Sequence, residues 1–535
     1  MNTISGQMLK SMLISASNNL YNHYPEIDAL NVFPVPDGDT GMNMNLTMSS
    51  GAKEINNRSD NDVGNIAKAF SRGLLMGARG NSGVITSQIF RGFAKTLEGK
   101  NEITPWDLAV AFVAGKEASY KAVMRPVEGT ILTVIREASD VLMRDGESHM
   151  SIEECFEIFL KEAKASLERT PELLPVLKEV GVVDSGGAGL VTIFEGMFKA
   201  LKGEFVNKNS EGQTIVGEKE DENVYEYTVS LLFDVITDGS KKQYIEKHFK
   251  DFANHRGHDL EYKKITDSSF NIKVNTKYPG TILAYLQQFG EFSKIEIMPS
   301  NNNKKTAGLK INTTGQDNAI IAVSAGEGID EIFKQVGVSI VVSGGQTMNP
   351  SSKDFVEAIK KAGAKTVFIL PNNSNIVMAA NQASEIVEGD VDVRVIPSKT
   401  IPQGITAAMV FSNEESVETN FRNMKSALKN VNSGLVTYAI KDTDIDGVHV
   451  TKDYYMGMRD KTIITCVKEK MEALHNLLAD MITSKSSIVT ILCGEDVDAN
   501  SIPDIQSELS ENYPKVQINV VEGKQPVYSF IVGVE

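Results

Sequence analysis

Two carboxylates separated by a single glycine are the residues best suited to chemistry in this sequence. Asp37 and Asp39 lie in the segment NVFPVPDGDTGMNMN, where Pro34 and Pro36 stiffen the approach and Gly38 permits a tight turn. Such a loop suits Mg²⁺, which binds one or two carboxylates together with phosphate oxygens and water. The helix that follows could also offer N–H groups to a phosphate. A solvated Asp-Gly turn would explain the same residues, so the motif alone leaves both interpretations open.

A second glycine-rich segment, GARGNSG at residues 77–83, is another candidate for phosphate binding. Its three glycines expose backbone N–H groups, Ser82 adds a hydroxyl, and Arg79 adds a charge suited to a phosphoryl group in transfer. DSGGAG at residues 184–189 likewise combines Asp184 with three glycines. Each segment is also consistent with a simple break between helices, with Arg79 in solvent.

The residues do not support several other kinds of catalytic centre. The sequence contains no GxxxxGK[ST] motif and no kinase HRD or DFG set. With only seven histidines, no set of Ser, His and Asp can be proposed. The three cysteines, Cys155, Cys466 and Cys493, lie far apart, which argues against a zinc knuckle or a disulfide framework and suits the cytosol.

The glycine-rich segments interrupt a series of predicted helices. Residues 1–202 repeat apolar side chains at spacings of three and four, as from Leu9 to Leu20, which is typical of amphipathic helices. The breaks are PDGDTG, GARGNSG, VEGT and DSGGAG. We therefore expect a helical bundle that gathers its short loops at one end.

The rest of the chain predicts two more domains joined by polar linkers. Residues 203–222 form the first linker, residues 223–299 follow the βαββαβ order of a two-layer α+β unit, and residues 300–318 form the second linker. In residues 319–535 buried strands alternate with helices, which indicates a parallel sheet with its ligand edge at the strand C-termini. Three polar segments follow strands there and supply amides and hydroxyls: SGGQTMNPS (343–351), PNNSNI (371–376) and PSKTIPQGI (397–405). A ligand-binding edge and an edge without a ligand remain alternatives.

Composition narrows the class of protein. The chain has 535 residues, 41% of them hydrophobic, and a net charge of −16, which argues against a nucleic-acid partner because phosphates need a basic surface. It contains no run of 18 or more apolar residues and no signal-peptide core, so neither a transmembrane segment nor secretion is predicted. We expect a cytoplasmic protein.

Seven segments together resemble a known family. In the helical domain, NVFPVPDGDTGMNM, GARGNSGVI, RPVEGTILTV and GVVDSGGAGL resemble the nucleotide-binding DhaL-type domain of the dihydroxyacetone kinase superfamily. Later, GGQTMNPS, LPNNSNIVMAANQA and IPSKTIPQGI are similar to the C-terminal domain of the A-type component of bacterial fatty acid kinase, the DAK2-domain or YloV-type proteins. The resemblance implies a multidomain protein with an all-α eight-helix DhaL-like barrel, a middle two-layer α+β domain and a C-terminal α/β domain that is DegV-like.

The activity implied by this resemblance is that of a kinase. The family transfers phosphate from ATP, with Mg²⁺, to a fatty acid held by a separate fatty-acid-binding protein of the DegV-like class. The product is an acyl phosphate that feeds phospholipid synthesis, and a homodimer is possible. A carboxylate acceptor is already ionised at pH 7 and needs no general base, which agrees with loops poor in histidine.

The resemblance also assigns roles to individual residues. Asp37 and Asp39 match the Mg²⁺ ligands, and Asn31 is the polar residue closest to the place of a third aspartate in related kinases. Further positions fall on motifs that surround the nucleotide: Thr40, Asn43, Asn81, Ser82, Gly83, Thr130, Asp184 and Gly186. We add Arg79 to the catalytic set because of its charge and position. All of these residues precede residue 202, so the helical domain is expected to bind Mg-ATP by itself.

The middle domain departs from the family pattern. Relatives often carry a Cys in one strand and an HxH in another, which together can bind zinc. Here Thr228 replaces the Cys, and Lys273 and Asn275 replace the two His. A hydroxyl, an ammonium and an amide do not hold structural Zn²⁺, so no zinc is expected.

Two other functions remain open. One is a kinase for a small hydroxyketone such as dihydroxyacetone, although the usual partner in that system holds its substrate on a histidine in a domain that this chain lacks. The other is a non-catalytic scaffold whose C-terminal domain binds a lipid or a partner. The presence of Asp37, Asp39 and Ser82 argues against a scaffold.

Overall fold

The computed structural model describes most of the chain, with gaps. The described residues are 2–32, 37–146, 149–209, 227–235, 257–266, 269–276, 279–287, 289–299, 317–345, 348–439, 442–445, 448–460 and 462–535. Most of the first predicted linker and of the second lies outside them, as does the first helix of the predicted βαββαβ unit.

The described N-terminal residues form a helical domain. Its long helices are α1 (Gly6–Ala29), α2 (Thr40–Asn56), α3 (Val63–Gly77), α4 (Gly80–Thr96), α5 (Pro105–Ala122), α6 (Ile131–Asp145), α7 (Ile152–Leu173) and α9 (Ser185–Leu201), with a six-residue α8 (Pro175–Val180). Strands β1 (Ile4–Ser5) and β2 (Glu102–Ile103) pair at its edge. Each long helix packs against the next, and α9 packs against both α7 and α1, so the helices close into a ring.

Helix starts explain where the glycine-rich segments lie. The four segments lead into the first turns of α2, α4, α6 and α9, which are alternate members of the ring. Successive helices joined by short loops run antiparallel, so these four starts face the same end of the bundle. The predicted clustering of the four motifs at one end agrees with this order.

Aromatic side chains fill the interior of the ring. The ring of Phe112 stacks on that of Phe159 with 3.9 Å between centroids, and meets Phe194 edge-on at 5.4 Å. All three side chains are fully buried. Helices that contribute them are started by local signals, such as the capping box between Ser151 and Glu154 at α7. The apolar spacing seen in the sequence therefore corresponds to a real interior face.

The middle residues form a separate compact unit. Its four strands are β3 (Tyr227–Val235), β4 (Gly257–Lys264), β5 (Ser269–Thr276) and β6 (Gly290–Pro299), in the antiparallel order β4-β5-β3-β6, with helix α10 (Pro279–Gln287) after β5. The side chain of Thr228 donates to Asn275 Oδ1 at 2.8 Å, and Lys273 pairs with Glu261 at 3.2 Å. These are the three residues on which the prediction of no zinc rests, and their side chains contact one another or Glu261.

The C-terminal residues form an α/β domain with two main sheets. The first is parallel, in the order β10-β9-β7-β8, as the sequence predicted: β7 (Asn318–Ser324), β8 (Ile340–Ser343), β9 (Thr366–Leu370) and β10 (Asp392–Val395). The helices around it are α11 (Glu327–Gln335), α12 (Ser352–Ala362), α13 (Val377–Ile386), α14 (Ile401–Met409) and α15 (Val417–Ala427).

The second sheet is mixed and mostly antiparallel. Its order is β15-β14-β11-β18-β16-β17, from β11 (Asn432–Tyr438), β14 (Tyr455–Arg459), β15 (Thr462–Val467), β16 (Ile488–Cys493), β17 (Gln517–Glu522) and β18 (Tyr528–Val534). A ribbon of β12 (Thr443–Ile445) and β13 (Val448–Val450) lies beside it, with helices α16 (Lys470–Met481) and α17 (Ile502–Asn512).

The helical domain and the α/β domain belong to one compact unit. Ala78 and Val84 of the helical domain are buried in the same apolar cluster as Phe355 and Ile359 of the α/β domain. The sequence boundaries at residues 202, 222, 299 and 318 remain predictions, but the two outer domains share a core. Across the described ranges, every helix is too short or too polar to cross a membrane.

Candidate functional site

The carboxylate pair lies immediately before α2. Asp39 occupies the N-cap position, yet its side chain makes no capping bond to the helix. Asp28, at the end of α1, accepts hydrogen bonds from the N–H groups of Met42 (3.1 Å) and Gly41 instead. Because Asp28 satisfies the helix start, the carboxylate of Asp39 is directed to other partners.

The same helix start explains why a glycine is needed beside the pair. A Cβ on Gly41 would lie 2.3 Å from the backbone oxygen of Tyr24 in α1. Only glycine allows α2 to begin this close to α1.

Side chains of the helical domain surround the two carboxylates. Asn31 donates to Asp37 Oδ1 at 2.7 Å, and Asn43 donates to Asp39. Asn31 is buried, and its own carbonyl oxygen has no hydrogen-bond partner. The predicted third ligand therefore lies beside the pair, with an unsatisfied oxygen.

Electrostatics favour a positive partner for this pair. Burial raises the pKa of Asp37, and the nearby charge of Asp39 raises it further. Burial also raises the pKa of Asp39. Two carboxyl groups in this setting resist full ionisation unless a cation compensates them.

The GARGNSG segment lies against the start of α2. Ser82 donates to the backbone oxygen of Thr40 at 3.4 Å, and the N–H of Arg79 donates to Thr47 at 3.3 Å. Gly83 is buried where a Cβ would lie 2.3 Å from Thr47 Oγ1. The structure thus brings Thr40, Asn43, Asn81, Ser82 and Gly83 to the same side of the bundle as Asp37 and Asp39.

Two asparagines of the α/β domain complete the group, and the sequence analysis missed them. Asn349 Nδ2 donates to Asp39 Oδ2 at 2.6 Å, and Asn375 Nδ2 donates to Asp37 Oδ2 at 2.5 Å. Both lie in polar segments that the sequence placed at a sheet edge, SGGQTMNPS and PNNSNI. Residues of the helical domain are therefore not the only ones that contact the carboxylate pair. That the helical domain binds Mg-ATP by itself remains a prediction.

The side chain of Arg79 also meets the α/β domain. Its guanidinium donates to the backbone oxygen of Asn349 at 2.8 Å and lies 3.9 Å from the carboxylate of Asp354. Asn81 donates to Asn375 Oδ1 at 3.2 Å. A catalytic role for Arg79 remains a prediction, and in this structure it holds the two domains together.

Three of the residues predicted to bind the nucleotide form a second cluster at the starts of α6 and α9. Thr130 caps α6, and Asp184 caps α9 by accepting from the N–H of Gly187 at 2.7 Å. Asp184 also accepts from the N–H of Ile131, and a Cβ on Gly186 would lie 3.2 Å from Ile131 Cβ. Burial raises the pKa of Asp184 to about 6. These contacts give the three residues a structural role whether or not a nucleotide binds.

The donor set around the pair suits Mg²⁺. Two carboxylates lie with two buried carbonyl oxygens, on Asn31 and Asn349, that have no hydrogen-bond partner. Hard oxygen ligands of this kind are what Mg²⁺ prefers, with phosphate and water completing its shell. Within the part of the chain that the structure describes, there is no group of three or more His, Cys, Asp or Glu side chains placed to hold a metal. A metal here would depend on amide and phosphate oxygens.

Comparison with known families gives two matches. A family model for the C-terminal part of FakA-like fatty acid kinase proteins matches residues 319–535, and one described as "DAK2 domain" matches residues 34–199. The second contains both Asp37 and Asp39, and the first contains Asn349 and Asn375.

Relatives match over the full length. Protein YloV of Bacillus subtilis is 43% identical over 557 residues, covering 100% of this chain and 99% of that protein. An uncharacterized protein of Staphylococcus saprophyticus is 43% identical over 552 residues, covering 99% of each chain. A solved DegV family protein from Corynebacterium glutamicum covers 41% of this chain and 96% of its own at 15% identity, with a TM-score of 0.32. We draw no conclusion from a structural similarity at that level.

Proposed function

The chain belongs to the FakA-like family of fatty acid kinase proteins, and on that premise we propose that it is the ATP-dependent catalytic component. Its substrate is the carboxylate of a fatty acid held by a separate fatty-acid-binding protein of the DegV-like class. A carboxylate oxygen attacks the γ-phosphorus of ATP, the bond to the β-phosphate oxygen breaks, and ADP and an acyl phosphate form. The acyl phosphate would then enter phospholipid synthesis.

The observation that carries this proposal is the carboxylate pair facing a glycine-rich helix start. Asp37 and Asp39 are half-buried, and buried side-chain carbonyl oxygens of Asn31 and Asn349 nearby have no partner. The asparagines that donate to the pair from the α/β domain also contact Arg79 and Asn81 at the start of α4. Bound Mg²⁺ would neutralise the charge that phosphoryl transfer has to move. Asp37 and Asp39, assisted by Asn31, would hold this ion.

Other residues would bind and orient the nucleotide. Ser82, Asn81 and the N–H groups at the start of α4 are suited to phosphate oxygens, since a helix start carries unpaired N–H donors and partial positive charge. Thr40 and Asn43 support this surface from α2 and are buried. Thr130, Asp184 and Gly186 would act from the neighbouring helix starts, where they already hold α6 and α9 together.

The chemistry of the acceptor explains why the proposed mechanism uses no general base. A fatty acid carboxylate has lost its proton at neutral pH and needs only alignment with the γ-phosphate. A hydroxyketone acceptor would need a proton removed from its hydroxyl group. The side chains that donate to the Asp pair from Asn31, Asn349 and Asn375 are amides, which cannot act as bases.

ATP turnover with a series of acceptors tests the proposal. The full-length chain with Mg-ATP should turn over only when an oleate-loaded fatty-acid-binding protein is present, and the empty carrier should not replace it. Turnover with free dihydroxyacetone would indicate the hydroxyketone kinase instead. Absence of turnover under all these conditions, with a loaded carrier that binds the chain, would favour a scaffold.

A further inference from the structure

Two carboxamides from a different domain lie against the carboxylate pair. Asn349 follows β8 and Asn375 follows β9, and their side chains are 3% and 6% exposed. Each donates its N–H to a different aspartate, although more than 300 residues separate the partners in sequence. Burial of this degree shows that these are not surface side chains in chance contact with the site.

The loops that carry the two asparagines are held in place. The backbone oxygen of Asn349 accepts from Arg79, and the N–H of Ser352 donates to the oxygen of Ala78 at 3.2 Å. The N–H of Asn375 donates to Asn373 Oδ1 at 2.8 Å, and its side-chain oxygen accepts from Asn81. Both domains therefore fix the positions of the carboxamides before any ligand binds.

One of these side chains is incompletely satisfied. Asn349 Oδ1 is buried without a hydrogen-bond partner, while its Nδ2 donates to Asp39. An unsatisfied buried oxygen costs stability, by about 1–3 kcal/mol in typical cases. A carboxamide presents a donor and an acceptor on opposite sides, so half a turn about its last bond would direct the oxygen at the place now taken by the N–H. The side chain can thus donate its N–H to the carboxylate when no cation is present, or direct its oxygen at a cation that the carboxylate binds.

We propose that the metal–nucleotide site is shared between the two domains, with Asn349 supplying an oxygen to the cation that Asp39 binds and Asn375 positioning Asp37. This inference rests on the proposed function and adds to it that the α/β domain is part of the kinase site. Binding of Mg-nucleotide then strengthens the contact between the domains, and the contact strengthens nucleotide binding by the same factor.

Calorimetry on the full-length chain, with a non-hydrolysable ATP analogue and varied Mg²⁺, tests this inference. Asn349→Ala should weaken Mg²⁺-dependent binding by about tenfold or more, as is typical when a residue that supports a metal is removed. Asn349→Asp keeps a side-chain oxygen, so its affinity for the Mg²⁺–analogue complex should lie within about threefold of that of the wild type. Asn349→Leu has no such oxygen and should bind the complex as weakly as Asn349→Ala. Arg91→Ala is the matched control, because Arg91 also bridges the domains, to Glu385 at 3.3 Å, but is half exposed. Its affinity should equal that of the wild type.

Hydrogen exchange on the wild-type chain gives a test that needs no variant. Adding the Mg²⁺–analogue complex should slow amide exchange in residues 349–352 and 375–382 as well as at the start of α2. The inference is overturned if only α2 is protected, if Asn349→Ala binds as tightly as the wild type or more tightly, or if Asn349→Asp is as weak as Asn349→Ala. If the wild type shows no Mg²⁺-dependent nucleotide binding at all, the proposed function fails and the inference fails with it.

Discussion

At the scale of single residues, the site depends on Asp28, and not Asp39, accepting the hydrogen bonds of the N–H groups at the start of α2. The sequence predicted a chemical role for Asp37 and Asp39 from their spacing, and the structure shows why Asp39 is not used as an ordinary helix cap. Asp28 satisfies the start of α2 from the preceding helix. That role could not be predicted, because nothing in the pattern around Asp28 distinguishes it from a solvent-exposed residue of α1.

Replacement of Asp39 by Asn tests the metal assignment with little change in shape. Asn keeps one oxygen but lacks the charge that a cation requires, so turnover should fall by a factor on the order of 100 or more. Steady-state kinetics at saturating Mg²⁺ provide the measurement, with circular dichroism to verify the fold. Asp62→Asn, at the exposed start of α3, is the control and should behave as the wild type. Near-normal turnover of Asp39→Asn would exclude Asp39 as a ligand.

Asp184 should make stability depend on pH. Its pKa is raised from 3.8 to about 6 because it is buried, so the folded chain binds its proton more tightly than the unfolded chain does. The associated stability is complete below about pH 4 and is lost as the pH rises through 6.

Asp184→Asn, which can still cap α9 but cannot ionise, isolates this effect. Between pH 4 and pH 6 the unfolding free energy of the variant should rise relative to that of the wild type by at most about 3 kcal/mol. Above this range the difference should stay constant. Urea unfolding followed by circular dichroism at several pH values is the measurement. A stability difference that stays constant with pH would show that Asp184 does not titrate in this range.

At the scale of elements, the glycine-rich segments serve helix packing as well as the ligand binding that we propose. Periodicity predicted the helices, and the glycines predicted the breaks between them. The sequence could not show that Gly83 lies inside α4, with Thr47 of α2 so near that no side chain fits. Contacts between helices that are distant in sequence are set by the packing of the whole bundle.

Gly83→Ala should force α2 and α4 apart. A Cβ at 2.3 Å from Thr47 Oγ1 and 3.2 Å from the backbone oxygen of Asn43 requires movement. We expect a loss of about 1–3 kcal/mol in stability and weaker nucleotide binding, measured by denaturation and calorimetry. Gly99→Ala is the control, because Gly99 has a positive φ but no atom within 4 Å of the place that a Cβ would take. It should cost stability only, so equal loss of nucleotide affinity in both variants would contradict this account.

At the scale of the whole molecule, the two outer domains share a buried polar contact. Gln382 accepts from Ser87 at 3.1 Å and from Gln88 at 3.0 Å, and it donates to the backbone oxygen of Leu75 at 2.7 Å. The sequence predicted both domains and the sheet edge that carries Asn349 and Asn375. It could not predict that this edge meets the helical loops, since the residues involved are about 300 positions apart and no local pattern links them.

Gln382→Ala should weaken this contact between the domains much more than a substitution that removes an exposed ion pair, such as Arg91→Ala. Its removal leaves buried polar groups without partners, which should cost at least about 2 kcal/mol in the stability of the contact. Hydrogen exchange in α4 and α13 provides the measurement. Arg91→Ala breaks an ion pair whose side chains are 51% and 61% exposed, and it should cost less than about 1 kcal/mol. Equal effects of the two variants would show that Gln382 is not central to the contact.

The central claim is that this chain transfers the γ-phosphate of ATP to a carrier-bound fatty acid, and detection of the acyl phosphate tests it most directly. The full-length chain would be incubated with Mg-ATP and an oleate-loaded fatty-acid-binding protein, with hydroxylamine added to trap acyl phosphate as the hydroxamate. The account predicts one oleoyl hydroxamate for each ADP formed, and neither product with Asp39→Ala. Formation of ADP without hydroxamate, or equal hydroxamate with Asp39→Ala, would contradict it.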